Sequence, residues 1–132
     1  PSRSTNQSLM SQYRKDLVNR ADKIFSTYIR TRGQSSGWNE CFTCNRVYEW
    51  GIIQCGHFMS RRYFNTRWHP LNCWPQCNDC NVVKHGNIVI YEAKLRARFG
   101  DEAIDELIAL AYSIDKVTET DIEDIVKLYK SP

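Results

Sequence analysis

Two cysteine pairs of the form Cys-x-x-Cys bracket the middle of the chain: Cys41-Phe42-Thr43-Cys44 and Cys77-Asn78-Asp79-Cys80. Each pair presents two thiolates to one metal ion, and two such pairs complete a tetrahedral zinc site. The 32 residues between the pairs, 45–76, leave room for a hairpin and a loop. A segment this short cannot bury enough apolar area alone, whereas structural zinc supplies on the order of 10–16 kcal/mol of apparent folding free energy. We therefore predict a structural zinc ion bound by these four cysteines.

Two further cysteines, Cys55 and Cys73, lie between the pairs. We interpret them as buried thiols or bystanders, with exchange of one of them into the zinc site as an open alternative. The alternative for the pairs themselves is that they are reduced and packed as small hydrophobic residues. The repeated spacing and a reducing compartment, in which disulfides are rare, both favour the metal.

The bulk composition indicates a globular protein with a polyanionic partner. The chain has 132 residues, enough for one domain, and is 42% hydrophobic and 25% charged. It has no apolar run of bilayer-spanning length and no signal-peptide pattern, so we expect an intracellular protein. The net charge of +3 is unevenly distributed: +5 over residues 1–32, +4 over 33–100 and −6 over 101–132. The basic part includes both cysteine pairs, which favours a nucleic acid as partner.

Helical periodicity flanks the cysteine stretch on both sides. Apolar residues from Leu9 to Tyr28 recur at three- and four-residue steps, which predicts an amphipathic helix capped by Ser8 and ending near Ile29. A flexible joint rich in glycine and serine follows and completes the first segment, residues 1–37.

The C-terminal segment, residues 91–132, is predicted to be a helical scaffold. It contains a short helix stopped by Gly100, a second helix, and a last helix opened by a capping box of Thr120 and Glu123. Together with the central segment, residues 38–90, these flanks are expected to form one domain.

The central segment also carries side chains suited to phosphodiester hydrolysis. A β-rich run over residues 47–53 leads into His57, and a short helix predicted over 79–86 places Asn81 and His85 on one face. A divalent cation on Asn81 and His85 would take a phosphate oxygen and stabilise the leaving oxyanion. A neutral His57 imidazole would deprotonate the attacking water. The alternatives are that His57 completes the zinc site and that His85 faces DNA or is merely exposed at a helix end.

Several spacings resemble known nucleases. His57, Asn72 and Asn81 resemble the His-Asn-His/Asn pattern of HNH endonucleases, in which the asparagine precedes the second Cys-x-x-Cys by five residues and the last motif residue directly follows it. The chain resembles more closely the NinG (Rap) family of phage recombination endonucleases, over most of residues 20–110. The shared features are Phe25-Ser26-Thr27-Tyr28-Ile29-Arg30-Thr31-Arg32, the first Cys-x-x-Cys, Gly56-His57-Phe58, Arg67-Trp68, Asn72, Gln76-Cys77-x-x-Cys80-Asn81-x-x-Lys84, Gly86-Asn87 and Tyr91 ahead of Leu95 and Gly100.

The resemblance implies an α+β fold with a zinc-stapled ββα-metal core (HNH, treble-clef-like) flanked by an N-terminal helix and C-terminal helices. It implies a metal-dependent, structure-selective DNA endonuclease acting on branched recombination intermediates such as Holliday-type junctions. In that role His57 is the general base, Asn72 orients the His57 loop and Asn81 binds the catalytic divalent ion, which the resemblance implies to be magnesium or manganese. If the chain is phage-encoded, as the resemblance implies, we expect it in the host cytoplasm.

Many HNH enzymes carry an acidic metal ligand just before the base histidine, where this chain has Gly56. His85 is therefore the expected second metal ligand, with Glu49 or Cys55 as alternatives.

Basic residues interleaved with aromatic ones are expected to contact DNA. Arg61, Arg62 and Arg67 suit phosphate contacts, with neighbouring aromatic rings stacking on bases, and Lys84 would steady the scissile phosphate. The alternative is a small aromatic core from which the arginines reach solvent. Symmetric cutting of a junction needs two sites, so we expect a homodimer. Rival functions are a non-catalytic zinc module that binds DNA and a zinc-dependent protein-interaction adaptor.

Overall fold

The computed structural model describes residues 2–130, with side-chain surroundings from residue 12 onward. Short strands and one π-helical turn are enclosed by helices in this order: α1 (Ser2–Thr31), β1 (Trp38–Glu40), β2 (Val47–Glu49), β3 (Gln54–His57), α2 (Phe64–Arg67), β4 (Cys73–Gln76), the π-helical turn (Asp79–Val83), α3 (Ile88–Phe99), α4 (Asp101–Ala111) and α5 (Glu119–Tyr129). The predicted α+β class is confirmed. Within residues 2–130, each helix is too short or too polar to cross a bilayer.

Helix α1 packs lengthwise against α5 through an apolar stripe of four-residue period. The buried members of this core from α1 and α5 are Leu17, Ala21, Phe25, Ile29, Ile122 and Val126. The predicted amphipathic helix is thus confirmed from residue 17 onward, whereas the side chain of Leu9 lies outside the described residues. The predicted start at Ser8 is wrong, because α1 already begins at Ser2.

The four strands form two separate antiparallel pairs, β1 with β2 and β3 with β4. In the second pair Cys55 is opposite Pro75 and His57 is opposite Cys73. Because side chains alternate along a strand, these four residues share one face of the sheet. The β-rich run predicted over residues 47–53 is a strand only as far as Glu49, after which a turn leads into β3.

The helix predicted over residues 79–86 is replaced by a single π-helical turn. The backbone N–H of Lys84 donates to the Asp79 carbonyl, five residues back, at 2.9 Å. His85 then takes a left-handed conformation with φ of 50°, and Gly86 follows with φ of 91°. The chain has therefore left the helix before His85, and the expectation that Asn81 and His85 share a helical face is wrong.

Helices α3 and α4 enclose a second apolar core with the loop after β3. Its buried members are Phe58, Tyr91, Leu95, Ile104 and Leu107. Gly100 separates the two helices at φ of 92°, a conformation that favours glycine, so the predicted stop is confirmed.

The capping box of α5 lies two residues before its predicted position. The backbone N–H of Asp121 donates to the Thr118 hydroxyl at 3.1 Å, and the Thr118 N–H donates to the Asp121 carboxylate at 2.8 Å. Thr118–Asp121 and Thr120–Glu123 both have the capping-box spacing, and the chain uses the first.

Candidate metal centre and active-site cleft

Four cysteines from two separate parts of the chain converge into one cluster. They are the four members of the Cys-x-x-Cys pairs: Cys41, Cys44, Cys77 and Cys80. Their sulfur atoms all lie within 4.8 Å of one another, and those of Cys44 and Cys77 are 3.7 Å apart. Zn–S bonds of about 2.3 Å at tetrahedral angles separate two sulfurs by about 3.8 Å. The donor set and its spacing therefore fit a zinc ion, which these four cysteines would hold.

Neighbouring polar groups tune the thiols of this four-cysteine cluster. The Thr43 hydroxyl lies 3.4 Å from the Cys41 sulfur. Burial raises the pKa of Cys41, but the hydrogen bond with Thr43 and backbone N–H groups outweigh it and bring the pKa to about 6. Burial raises the pKa of Cys44 to about 12, so zinc binding there must displace a proton.

A cleft of about 660 Å³ lies beside the cluster, between α1, β3 and the π-helical turn. It brings together polar side chains that are distant in sequence, among them Asp22, Ser26, Arg30, Gln54, Cys55, His57, Arg61 and Asn81. His57 and Asn81, which were predicted from different parts of the motif, therefore face the same cavity.

His57 closes β3 and is fixed by one hydrogen bond. Its Nε2 lies 2.8 Å from the backbone carbonyl oxygen of Arg67. A carbonyl can only accept, so Nε2 carries the proton and Nδ1 has a free lone pair. Burial lowers the pKa of His57 below its usual 6.5. The imidazole is therefore neutral at pH 7 and can accept a proton.

Asn72 is fully buried and holds the loop that follows His57. Its Oδ1 accepts from the Met59 N–H at 2.7 Å, and its Nδ2 donates to the carbonyls of Met59 and Thr66 at 2.9 and 3.0 Å. Asn72 thus fastens both ends of the segment between His57 and β4. This geometry agrees with the orienting role expected for it.

Asn81 is held so that its oxygen, rather than its nitrogen, stays available. Its Nδ2 donates to Oε1 of Gln54 at 2.8 Å, and the Gln54 amide in turn donates to Asn78 at 3.1 Å. Within the described part of the chain, Oδ1 of Asn81 has no hydrogen-bond partner. An amide oxygen facing a cleft is a suitable ligand for a hard divalent cation.

The remaining candidates for a catalytic metal ligand are not all placed at the cleft. His85 is exposed and is not part of the cleft lining, and Glu49 does not line it either. Cys55 does line it. The role of His85 as a metal ligand stays a prediction. The shared helical face with Asn81 that suggested this role is absent from the structure.

The predicted DNA-contacting residues differ in how free their side chains are. Arg61 is exposed at the cleft and Arg62 is exposed outside it. Lys84 forms an exposed ion pair with Asp79 at 3.4 Å. Arg67 instead binds the carboxylate of Asp22 through Nε and Nη2 at 2.9 and 2.6 Å. The guanidinium of Arg67 is thus already engaged inside the protein.

Sequence reasoning missed Asp22, which also accepts from the Trp68 indole N–H at 2.9 Å. Asp22 thereby ties α1 to the residues whose backbone holds His57. An acid inside a basic amphipathic helix was the only available signal. Sequence reasoning interpreted Cys55 and Cys73 as buried thiols or bystanders. Cys73 is buried, as predicted, but the proximity of the two cysteines to His57 was missed: both sulfurs and a His57 ring nitrogen lie within 4.8 Å of one another.

Gly56 is required by the packing of Gln76 and not by backbone conformation. A Cβ at position 56 would lie 1.9 Å from Oε1 of Gln76. Gln76 is fully buried, and its amide donates to Thr43 at 3.0 Å and to the Gly86 carbonyl at 2.9 Å. The space that an acidic side chain would need is therefore occupied by a glutamine that links β4 to the cluster.

The fold and the cluster define a small α+β protein with a four-cysteine site that fits zinc, next to a polar cleft. A family model described as "Bacteriophage Lambda NinG protein" matches residues 3–132, and the chain belongs to the NinG family, as predicted. It is 30% identical over 91 residues to the protein ninG of Escherichia phage lambda, with the same identity and overlap for those of Escherichia phage 933W and Enterobacteria phage VT2-Sa. The overlap is 68% of this chain and 43% of the relative, so the chain spans less than half the length of these curated relatives. No solved structure matches the chain.

Proposed function

We propose that this chain is a metal-dependent, structure-selective endodeoxyribonuclease of the HNH type that cuts branched recombination intermediates such as Holliday-type junctions. One observation carries the proposal. His57 and Asn81 line the same cleft, and each retains one polar atom, Nδ1 and Oδ1, without a partner in the described part of the chain. The order of β3, β4 and a helical turn beside the four-cysteine cluster supports a ββα-metal core.

His57 supplies the base in this mechanism. The Arg67 carbonyl fixes the tautomer that leaves Nδ1 as proton acceptor, and burial keeps the ring neutral at pH 7. Nδ1 takes a proton from a water molecule while the water oxygen bonds to phosphorus and the bond to the leaving sugar oxygen breaks. Asn72 holds the loop behind His57 and so maintains the position of the imidazole.

Asn81 would hold the catalytic magnesium or manganese ion through Oδ1. When bound, such an ion stabilises the charge on the leaving oxygen. Magnesium usually keeps several waters and binds few protein groups together with substrate phosphates. Asn81 would therefore be one of few protein ligands, with His85, Glu49 or Cys55 as candidates for the second, and a phosphate oxygen of the DNA and water would complete the set. Gln54 orients Asn81 by accepting from its Nδ2.

Charged residues around the cleft would position the DNA backbone. Arg61 is exposed at the cleft, and Arg30 also lines it, with its guanidinium 5.4 Å from the Trp50 ring. Arg62 and Lys84 extend the exposed positive surface. Two copies of the chain on one junction would supply the two sites that paired cutting needs.

The proposal is tested by incubating the zinc-loaded protein with synthetic four-way junctions and plain duplex, with and without magnesium or manganese. His57→Ala and Asn81→Ala should each lower the cleavage rate by roughly 10²–10⁴-fold. Asn19→Ala, at an exposed position of α1 away from the cleft, is the matched control. Zinc occupancy of the four-cysteine cluster and circular dichroism should be the same in all four proteins.

A different outcome would favour the second candidate, a non-catalytic zinc module that binds DNA. The four-cysteine cluster and the exposed arginines are compatible with that function. Junction binding by the wild type without cleavage under either divalent ion would support the module and reject the nuclease. Light scattering on the junction complex tests the dimer, since one chain per junction contradicts it.

A further inference from the structure

A second set of soft metal ligands lies on one face of the β3–β4 strand pair, separate from the four-cysteine cluster. Cys55 and His57 are two residues apart on β3, and Cys73 is directly opposite His57 on β4. Strand alternation places all three side chains on one face. Their ligand atoms lie within 4.8 Å of one another. Cys73 is fully buried, whereas Cys55 and His57 line the cleft.

The surroundings of these residues resemble those of a metal ligand set. A metal-binding histidine usually donates its other ring N–H to a carbonyl, which fixes its orientation. His57 makes this bond to the Arg67 carbonyl at 2.8 Å, and the Cys73 thiol lies 3.7 Å from the same oxygen. Two sulfurs and one imidazole nitrogen are a known zinc donor set that leaves a fourth position open.

We propose that Cys55, His57 and Cys73 form a second zinc site that opens onto the cleft. Zn–S bonds of about 2.3 Å and Zn–N bonds of about 2.0–2.1 Å separate ligand atoms by about 3.5–3.8 Å. The three ligand atoms, which lie within 4.8 Å of one another, need to approach by about 1.3 Å at most. With three protein ligands instead of four, this site is the weaker of the two and fills only at higher zinc concentration.

Zinc at this site takes the lone pair of the His57 imidazole. This consequence rests on the proposed nuclease function, since it makes the second zinc an inhibitor that removes the general base. Zinc in the four-cysteine cluster stabilises the fold, whereas zinc at the second site blocks the cleft. The same metal would thus support folding at low concentration and stop cleavage at high concentration.

The direct test counts metal ions and needs no activity. The full chain is titrated with zinc, freed of excess metal at each step, and analysed by mass spectrometry for zinc per chain. We expect two zinc ions in the wild type, and one each in Cys55→Ala and His57→Ala. The control is Asn19→Ala, at an exposed position of α1, which should keep both ions. One ion in the wild type, or two in Cys55→Ala, overturns the proposal.

The inhibitory consequence is measured within each variant as the ratio of junction cleavage with and without added zinc. The zinc concentration that halves cleavage should rise about tenfold or more in Cys55→Ala. Loss of a residue that merely hydrogen-bonds to a metal ligand already lowers metal affinity by about 10–100-fold, and Cys55 is proposed to bind the ion directly. Equal inhibition of both proteins contradicts the inhibitory role. A wild type that binds two zinc ions but never cleaves DNA would reject the nuclease proposal and leave the second site standing.

Discussion

Asp22 connects helix α1 to the segment that positions His57, and Asp22→Ala should destabilise the protein substantially. The carboxylate accepts from Nε and Nη2 of Arg67 at 2.9 and 2.6 Å and from the Trp68 indole at 2.9 Å. The side chains of the ion pair are only 14% and 22% exposed, so water screens the pair weakly. Arg67 also offers the carbonyl that fixes His57.

The cost of Asp22→Ala follows from how much of the pair remains buried. Removing one partner of a buried ion pair costs about 3–5 kcal/mol, whereas an exposed pair is worth about 0–1 kcal/mol. Because both side chains keep some contact with solvent, we expect about 3 kcal/mol. Asp16, on the same helix, is exposed, and among the side chains described from residue 12 onward it accepts only from Gln12. Asp16→Ala should change the unfolding free energy by less than about 0.5 kcal/mol.

Urea unfolding of the zinc-loaded protein measures both substitutions, and Asp16→Ala corrects for the higher helix propensity of alanine. A double-mutant cycle with Arg67→Ala should give a coupling energy of about 1–3 kcal/mol. Asp22→Ala should also slow junction cleavage while zinc stays bound in the four-cysteine cluster. A cost equal to that of Asp16→Ala, or a coupling of zero, would refute the reasoning.

Three other predictions follow from the packing, the metal cluster and the α5 cap. Gly56→Ala should lower the free energy of unfolding by about 1–3 kcal/mol because its Cβ would overlap the buried Gln76. The control is Gly51→Ala because, among the described residues, no atom beyond its chain neighbours lies within 4 Å of a Cβ at that position. Equal urea midpoints for the two variants would contradict the predicted overlap. Removal of zinc by a chelator should abolish the cooperative thermal transition, and an unchanged melting curve of metal-free protein would count against a structural ion. Hydrogen bonds with Thr118 lower the pKa of Asp121 in the folded protein. The carboxylate therefore contributes its full share to the free energy of unfolding above pH 3.8, its pKa in the unfolded chain, and loses this share as the pH falls through the lower pKa of the folded protein. The stability difference between wild type and Asp121→Asn should therefore shrink on acidification, and a constant difference would be the contrary result.

The local patterns of the sequence predicted the parts of the fold that local physics determines. The four-residue stripe of α1 and the stop at Gly100 depend on periodicity and backbone conformation within one segment. The four-cysteine cluster was predictable because the spacing within each pair preorganises two thiolates for one ion. His57 and Asn81 meet in one cleft because that cluster fixes β4 and the following turn.

Other features depend on contacts between distant segments and could not be read from spacing. The π-helical turn ends before His85, so a four-residue interval did not place His85 beside Asn81. Asp22 became important only through its contact with Arg67. The cluster of Cys55 with His57 depends on the register of β3 against β4, which no single segment reveals.

The most direct test of the central claim is imidazole rescue of His57→Ala on a four-way junction with magnesium. If the His57 ring removes the proton from water, the variant should be at least about 10²-fold slower than wild type, and added imidazole should restore part of the lost rate. The restored rate should depend on the concentration of neutral imidazole, while Asn81→Ala should gain nothing. Cleavage by His57→Ala at the wild-type rate, or equal stimulation of both variants by imidazole, would contradict the account.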